Sequence, residues 1–465
     1  MGKGKGKGKG KGKQKAVRNE KQPLSLTIHN ENSITNQEQT DAFSKFPAEI
    51  LLEVVSRLPP KDICNIRSVS KGINNLTRRP DFAAKHFRNC KTLSGNLTGF
   101  FCQSFSTQRV WRHNESRFIN GQVIHDPEFV AIKSEADRVP DSLFNFLKNG
   151  NNSNDMVELI DSCNGLLLCC TYTGIKSFKT WFVCNPLTME HVTLPYPVKR
   201  SNLVYYGLLA DTTNSGYLQY KVICIFNPKD DDSCSMLSVF SSKTGEWKEF
   251  EESLPPLCHH TMMGSKVVYN SKLFWDCLEG HILVCHLNKE GKSELIETPR
   301  APLGRSLWKS NDKLFCYCQG FDDETPVWSL SINDEEELEW KVEGCEEFEM
   351  LTEDLGNELD SSLHKVWVQK KPNIEFNIIG FNPESKEIYL WKPDPHNFII
   401  RYEFTERNFE IPWGAGRGPI RILPYVHSFA PIQMKEGEGK HTVDVETNKK
   451  KTKGKHVAPR SHRTN

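Results

Sequence analysis

The sequence predicts a mainly β chain with a small all-α domain near its N-terminal end. Three observations carry this. Residues 43–86 place apolar side chains at helical spacing. From about residue 95 the pattern changes to short apolar runs of strand length, many aromatic, separated by Gly, Asn, Asp and Pro. Within that region Asn270-Ser271-Lys272-Leu273-Phe274 recurs 41 residues later as Asn311-Asp312-Lys313-Leu314-Phe315. A period in the forties with several strands per unit is the signature of β-propeller blades. About 340 residues at about 45 per blade allow six to eight blades, and six with long loops is the expectation.

Charge divides the chain further. Its 465 residues sum to +1. Residues 1–21 hold nine Lys/Arg and one acid, and residues 435–465 hold nine Lys/Arg and four acids. The remaining 22–434 carry 42 basic and 54 acidic residues, a net charge of −12. The expected organisation is a disordered Gly/Lys-rich tail and linker (1–40), a helical domain (41–86), a β domain (87–434) and a disordered basic tail (435–465). The cluster Lys449-Lys450-Lys451-Thr452-Lys453-Gly454-Lys455 suits nuclear import or contact with a phosphate backbone. The acidic body does not suit a general nucleic-acid platform, so only the basic tails are expected to meet nucleic acid.

The helical domain opens at Phe46-Pro47. Proline fits a helix's first turn. Ile50, Leu51, Val54, Val55 and Leu58 follow at helical spacing, with Glu49, Glu53 and Arg57 among them. Pro59-Pro60 stops this helix, a second carries Ile63, Cys64 and Ile66, and a third carries Ile73 and Leu76 and ends at Pro80. So small a domain cannot hide its apolar surface alone, which predicts a bound protein or a second domain against it.

The run Phe46-Pro47-Ala48-Glu49-Ile50-Leu51-Leu52-Glu53-Val54-Val55-Ser56-Arg57-Leu58-Pro59 resembles the F-box. Asp62-Ile63, Arg67-Ser68-Val69-Ser70-Lys71 and Pro80-Asp81-Phe82 continue the resemblance, without gaps, over about 40 residues. One departure is Ile73, which stands where the family usually has Trp and implies looser packing near the third helix. The resemblance implies docking to the Skp-type adaptor of a cullin-based ubiquitin ligase. The positions that match the family's contact are Phe46, Pro47, Ile50, Leu51, Val54 and Leu58.

In the β region the strand-length runs include Gly165–Cys170, Thr180–Cys184, Tyr220–Phe226, His281–His286, Lys313–Cys318, Val327–Ile332 and Val366–Val368. Helical periodicity is scarce there, with Asp141–Leu147 the best exception. Asp161-Ser162-Cys163-Asn164-Gly165-Leu166-Leu167-Leu168, Cys184-Asn185-Pro186-Leu187-Thr188 and Val239–Trp247 resemble the F-box-associated region of plant F-box proteins. Asn164-Gly165 and Asn185-Pro186 read as turns that build blades and bind nothing directly.

Catalytic chemistry is not expected. There is no G-x-S-x-G, H-E-x-x-H or Walker A pattern. Ser68-Val69-Ser70-Lys71 fits S-x-x-K but falls inside the F-box resemblance. No cofactor and no metal are expected: there is no C-x-x-C pair, and Cys258-His259-His260 reads as a loop. The acidic clusters Asp230–Asp232 and Asp334–Glu337 read as turns, and Gly414–Gly418 as a loop. Fifteen scattered cysteines, an odd number, predict reduced thiols and an intracellular protein of nucleus or cytoplasm. No apolar run approaches the roughly 20 residues of a membrane span, and the first residues lack the apolar core of a secretory signal.

The leading expectation is therefore a non-catalytic substrate receptor of a Skp–cullin–F-box ubiquitin ligase, whose propeller holds a target protein. The alternative is a propeller scaffold or nucleic-acid-associated factor that acts through its basic tails, with a vestigial F-box.

Overall fold

A computed structural model describes residues 42–90 and, within 97–433, the strands and most of the short turns between them. Both basic tails, the run Val366–Val368, the Cys258-His259-His260 segment, Gly416–Gly418 and the acidic clusters at 230–232 and 334–337 lie outside the described residues.

Four helices come first: α1 (Ala48–Val55), α2 (Pro60–Val69), α3 (Lys71–Thr77) and α4 (Pro80–Cys90). The sequence predicts three, with prolines as stops. Pro60 and Pro80 instead stand as the first residues of α2 and α4. A first-turn residue has no helical partner for its N–H, so proline ends one helix and opens the next at no cost. Ser70 caps α3, its hydroxyl accepting from Ile73 N at 3.1 Å. Ile73 fills the position where Trp is usual and is fully buried, 0% exposed, in one cluster with Val55, Ile63, Leu76 and Phe82.

Six four-stranded antiparallel sheets follow, the six blades that the repeat predicts. The inner strands lie against one another around the centre: Ile420–Tyr425 in blade one, Met156–Cys163 in blade two, Val204–Thr212 in blade three, Lys266–Tyr269 in blade four, Gly304–Ser310 in blade five and Asn377–Asn382 in blade six. Blade one is composite. Ile420–Tyr425 pairs with Gly99–Val110, Gly99 opposite Tyr425 and Ser104 opposite Ile420, so the two ends of the β region close the ring. Phe101, Phe129, Phe144 and Tyr425 pack at that closure, with Phe101 ring centroids 4.8–5.4 Å from the other three.

The 41-residue repeat is one blade. Lys272 and Lys313 each open the second strand of their blade, directly after its first turn. Outer strands such as Glu190–Leu194, Ser293–Glu297 and Leu338–Glu343 carry no apolar run. Their glutamates protect exposed sheet edges from pairing with other chains, which also hides them from an apolar reading. At Asp141–Leu147 only a single 3-10 turn, Asn145–Leu147, forms. The Asp141 carboxylate accepts from Leu143 N and Phe146 N and so diverts the backbone from an α-helix.

Neighbouring blades are clasped by tryptophans. Trp247 Nε1 in blade three donates to Pro195 O of blade two at 3.0 Å, and Trp340 Nε1 in blade five donates to Glu297 O of blade four at 3.1 Å. Replacing either Trp by Phe should cost about 1 kcal/mol in urea unfolding, because each deletes one inter-blade hydrogen bond and keeps most of the ring.

Candidate functional site

The first turn of α1 follows from Pro47, whose carbonyl accepts from Ile50 N and Leu51 N, both at 3.1 Å. The helix Ala48–Val55 is apolar on two sides, and the structure separates them. Val55 is buried, and Leu51, Leu52 and Leu58 pack half-buried against the same cluster. Phe46, Ile50 and Val54 stand one helical turn apart and point outward, 55, 52 and 55% exposed, with Pro47 exposed beside them. Of the six residues that the sequence singles out, four therefore make an outward apolar stripe, and Leu51 and Leu58 belong to the interior. Val69, at the end of α2, is 79% exposed and was not among them. It follows Ser68 in a polar stretch that gives no apolar signal.

Charges tie this helix to its neighbour. Glu53 pairs with Lys85 of α4 and with Arg57, whose Nε donates to Oε1 at 3.0 Å. The Lys85 bond, then the Arg57 bond, hold the Glu53 carboxyl down at about 2. A carboxyl lowered by folding adds stability that is complete above its ordinary value of 4.5 and is lost as pH falls toward 2. Glu53→Gln should therefore lower the melting temperature at pH 6 and leave it nearly unchanged at pH 2, read by thermal melts at both values.

No other chemistry gathers at this end. Ser70 of the S-x-x-K match is a helix cap, and Ser68 Oγ donates to Asn65 O at 2.6 Å. Among the described residues no group of His, Cys, Asp or Glu could hold a metal ion, and no helix is long and apolar enough to cross a membrane.

Residues 43–85 match the F-box domain model, and residues 129–415 match the model for "F-box protein At3g26010-like, beta-propeller". The chain belongs to this F-box propeller family. Among similar Arabidopsis thaliana proteins, "Putative F-box protein At1g55070" is 21% identical over 44% of this chain. "Putative F-box protein At4g09190" is 22% identical over 62% of this chain and 68% of its own length. "F-box protein At5g65850" is 22% identical over 68% of this chain and 75% of its own length. The chain spans 46% of the length of the first of these. Among solved structures, one from a study of two prolyl endopeptidases overlaps 55% of this chain and 36% of its own at 13% identity, with a TM-score of 0.31. The F-box stripe is thus the outward face of a domain joined to a six-bladed propeller.

Proposed function

We propose that the chain is the substrate-recognition subunit of a Skp–cullin–F-box ubiquitin ligase. Its F-box docks a Skp-type adaptor and, through it, a cullin scaffold, while the propeller binds a target protein. The observation that supports this is the Phe46, Pro47, Ile50 and Val54 stripe. It is apolar, it faces water, and it lies on a helix whose other face is already buried. An apolar patch of that kind marks a protein contact. The chain supplies no nucleophile. It acts by holding a target lysine close to the ubiquitin-charged enzyme, which raises its effective concentration. We place it inside the cell, in nucleus or cytoplasm; the described cysteines are free thiols, which suits a reducing compartment.

Reconstitution of the full chain with purified adaptor and cullin tests the reading. Co-elution as one complex is expected, and a chain that elutes without adaptor at micromolar concentrations overturns it.

A further inference from the structure

The chain does not leave the molecule after the last strand of the ring. Residues 426–433 run along the face that carries the first turns of blades two and three. Leu218 N donates to Pro431 O at 2.9 Å and Gln433 N donates to Leu218 O at 2.8 Å, a parallel bridge centred on Ile432. Asn185 Nδ2 donates to Ser428 O at 2.8 Å, while the same side chain's Oδ1 accepts from Leu187 N and Thr188 N and shapes its own turn. The Asn164-Gly165 turn is pressed onto this segment. Gly165 has φ +87°, and a Cβ there would meet Ser428 Cβ at 2.5 Å.

The other side of the segment meets the F-box. The Phe429 ring is buried, its centroid 5.6 Å from Phe82 and 4.8 Å from His86, with the Arg67 guanidinium 5.9 Å over its face. Burial pushes the His86 imidazole down to about 4, so the ring is neutral, and its Nε2 lies 3.3 Å from Leu58 O. Direct contacts add to this. Cys64 Sγ donates to Leu187 O at 3.5 Å, and a Cβ on Gly216 of blade three would meet Pro80 Cβ at 2.7 Å. Val55, Ile73 and Phe82 of the F-box, Phe429 and Ile432, and Leu187 of blade two share one apolar cluster.

We propose that residues 426–433 are a strut that locks the F-box to blades two and three as one rigid body, with Phe429 as its wedge. Domains of one chain move relative to each other unless their interface is extensive and apolar, and here the interface is apolar and continuous with both cores. The strut gives the motifs around Asp161 and Asn185 a shared purpose: they form the seat on which it rests. If the proposed function holds, Phe429 is a positioning residue. It fixes the direction in which the propeller presents a target relative to the adaptor, on which transfer by proximity depends.

Hydrogen exchange on the free full-length chain tests the strut independently of adaptor binding. Phe429→Ala should raise amide exchange in 60–90 and 426–433 by about 10-fold or more, with the inner strands of blades four to six within about two-fold of the parent. Phe429→Leu should restore most of the protection. His86→Ala removes the same contact from the F-box side alone and should give the same pattern if Phe429→Ala does not fold. In the adaptor complex, small-angle scattering of Phe429→Ala should show a broadened distance distribution at unchanged adaptor stoichiometry. Unchanged exchange in 60–90, or an increase spread evenly over all blades, overturns the strut. Failure of the parent chain to capture adaptor, with exchange in 60–90 raised by Phe429→Ala as expected, counts against the adaptor reading and leaves the strut standing.

Discussion

An Ile50→Glu, Val54→Lys double variant should lose capture of a Skp-type adaptor by at least about 100-fold, because central apolar contacts of an interface each contribute about 2 kcal/mol or more. The same variant should melt with the parent. Both side chains are more than half exposed, so the interior built on Val55, Leu51 and Leu52 is untouched. The new pair sits at i and i+4 with Glu first, the order that favours an isolated helix. Lysine near the last turn also suits the helix dipole. Calorimetric titration of adaptor into each chain reads the binding, and a differential scan reads the fold. Leu51→Ala is the informative contrast. It should weaken binding only together with a lowered melting temperature, since Leu51 supports α1 from the inside. Full retention of binding by the double variant would show that the stripe is not the docking face.

The division of α1 into an outward and an inward side was not legible in the sequence, and the reason is physical. Ala48–Val55 is apolar nearly all round, so periodicity places Ile50 and Leu51 equally well against a core. Only the packing of α3 and α4 chooses between them. The F-box itself was legible, because its apolar spacing and turn prolines are local features. The second and third strands of the blades were legible for a similar reason: they are buried on both faces and read as apolar runs, as Leu166–Thr173 and Leu218–Phe226 do. Outer strands facing water were not. Asn185 marks the limit of local reading. Its turn is visible in Asn-Pro, but its bond to Ser428 joins residues 243 positions apart. Ser428 lies in a segment with no motif of its own, and closure of the ring is what brings it there.

Asp161→Ala should destabilise the chain by about 3–5 kcal/mol, the usual cost of removing one partner from a buried ion pair. Asp161 is buried on the inner strand of blade two and pairs with Lys266 Nζ, which reaches from the inner strand of blade four. The lysine passes Gly207 of blade three, where a Cβ would lie 3.8 Å from Nζ. Asp161 also accepts from Ser162 N at 2.7 Å and from Leu208 N, so one carboxylate joins three blades near the axis. Arg421 of blade one stands close by, paired with Glu158. Burial, and then the Arg421 charge, push the Lys266 ammonium down to about 7 in the native chain. Without Asp161 beside it the ammonium loses its paired carboxylate and should be pushed lower still. A base lowered by folding makes the unfolded chain bind more protons between the two pKa values. The variant should therefore be least stable below pH 7 and recover as pH rises through about 7 toward 10.5. The parent, whose lysine is already lowered, should show a smaller recovery over that span. Lys266→Met in the same chain removes the uncompensated charge, so the double variant should be more stable than Asp161→Ala alone and should lose the alkaline recovery. Urea unfolding at pH 6 and pH 9 separates the possibilities. If the double variant is as unstable as the single one at both pH values, the cost lies in the orphaned Ser162 and Leu208 amides, and the carboxylate serves the blades as a backbone anchor rather than as the lysine's counter-charge.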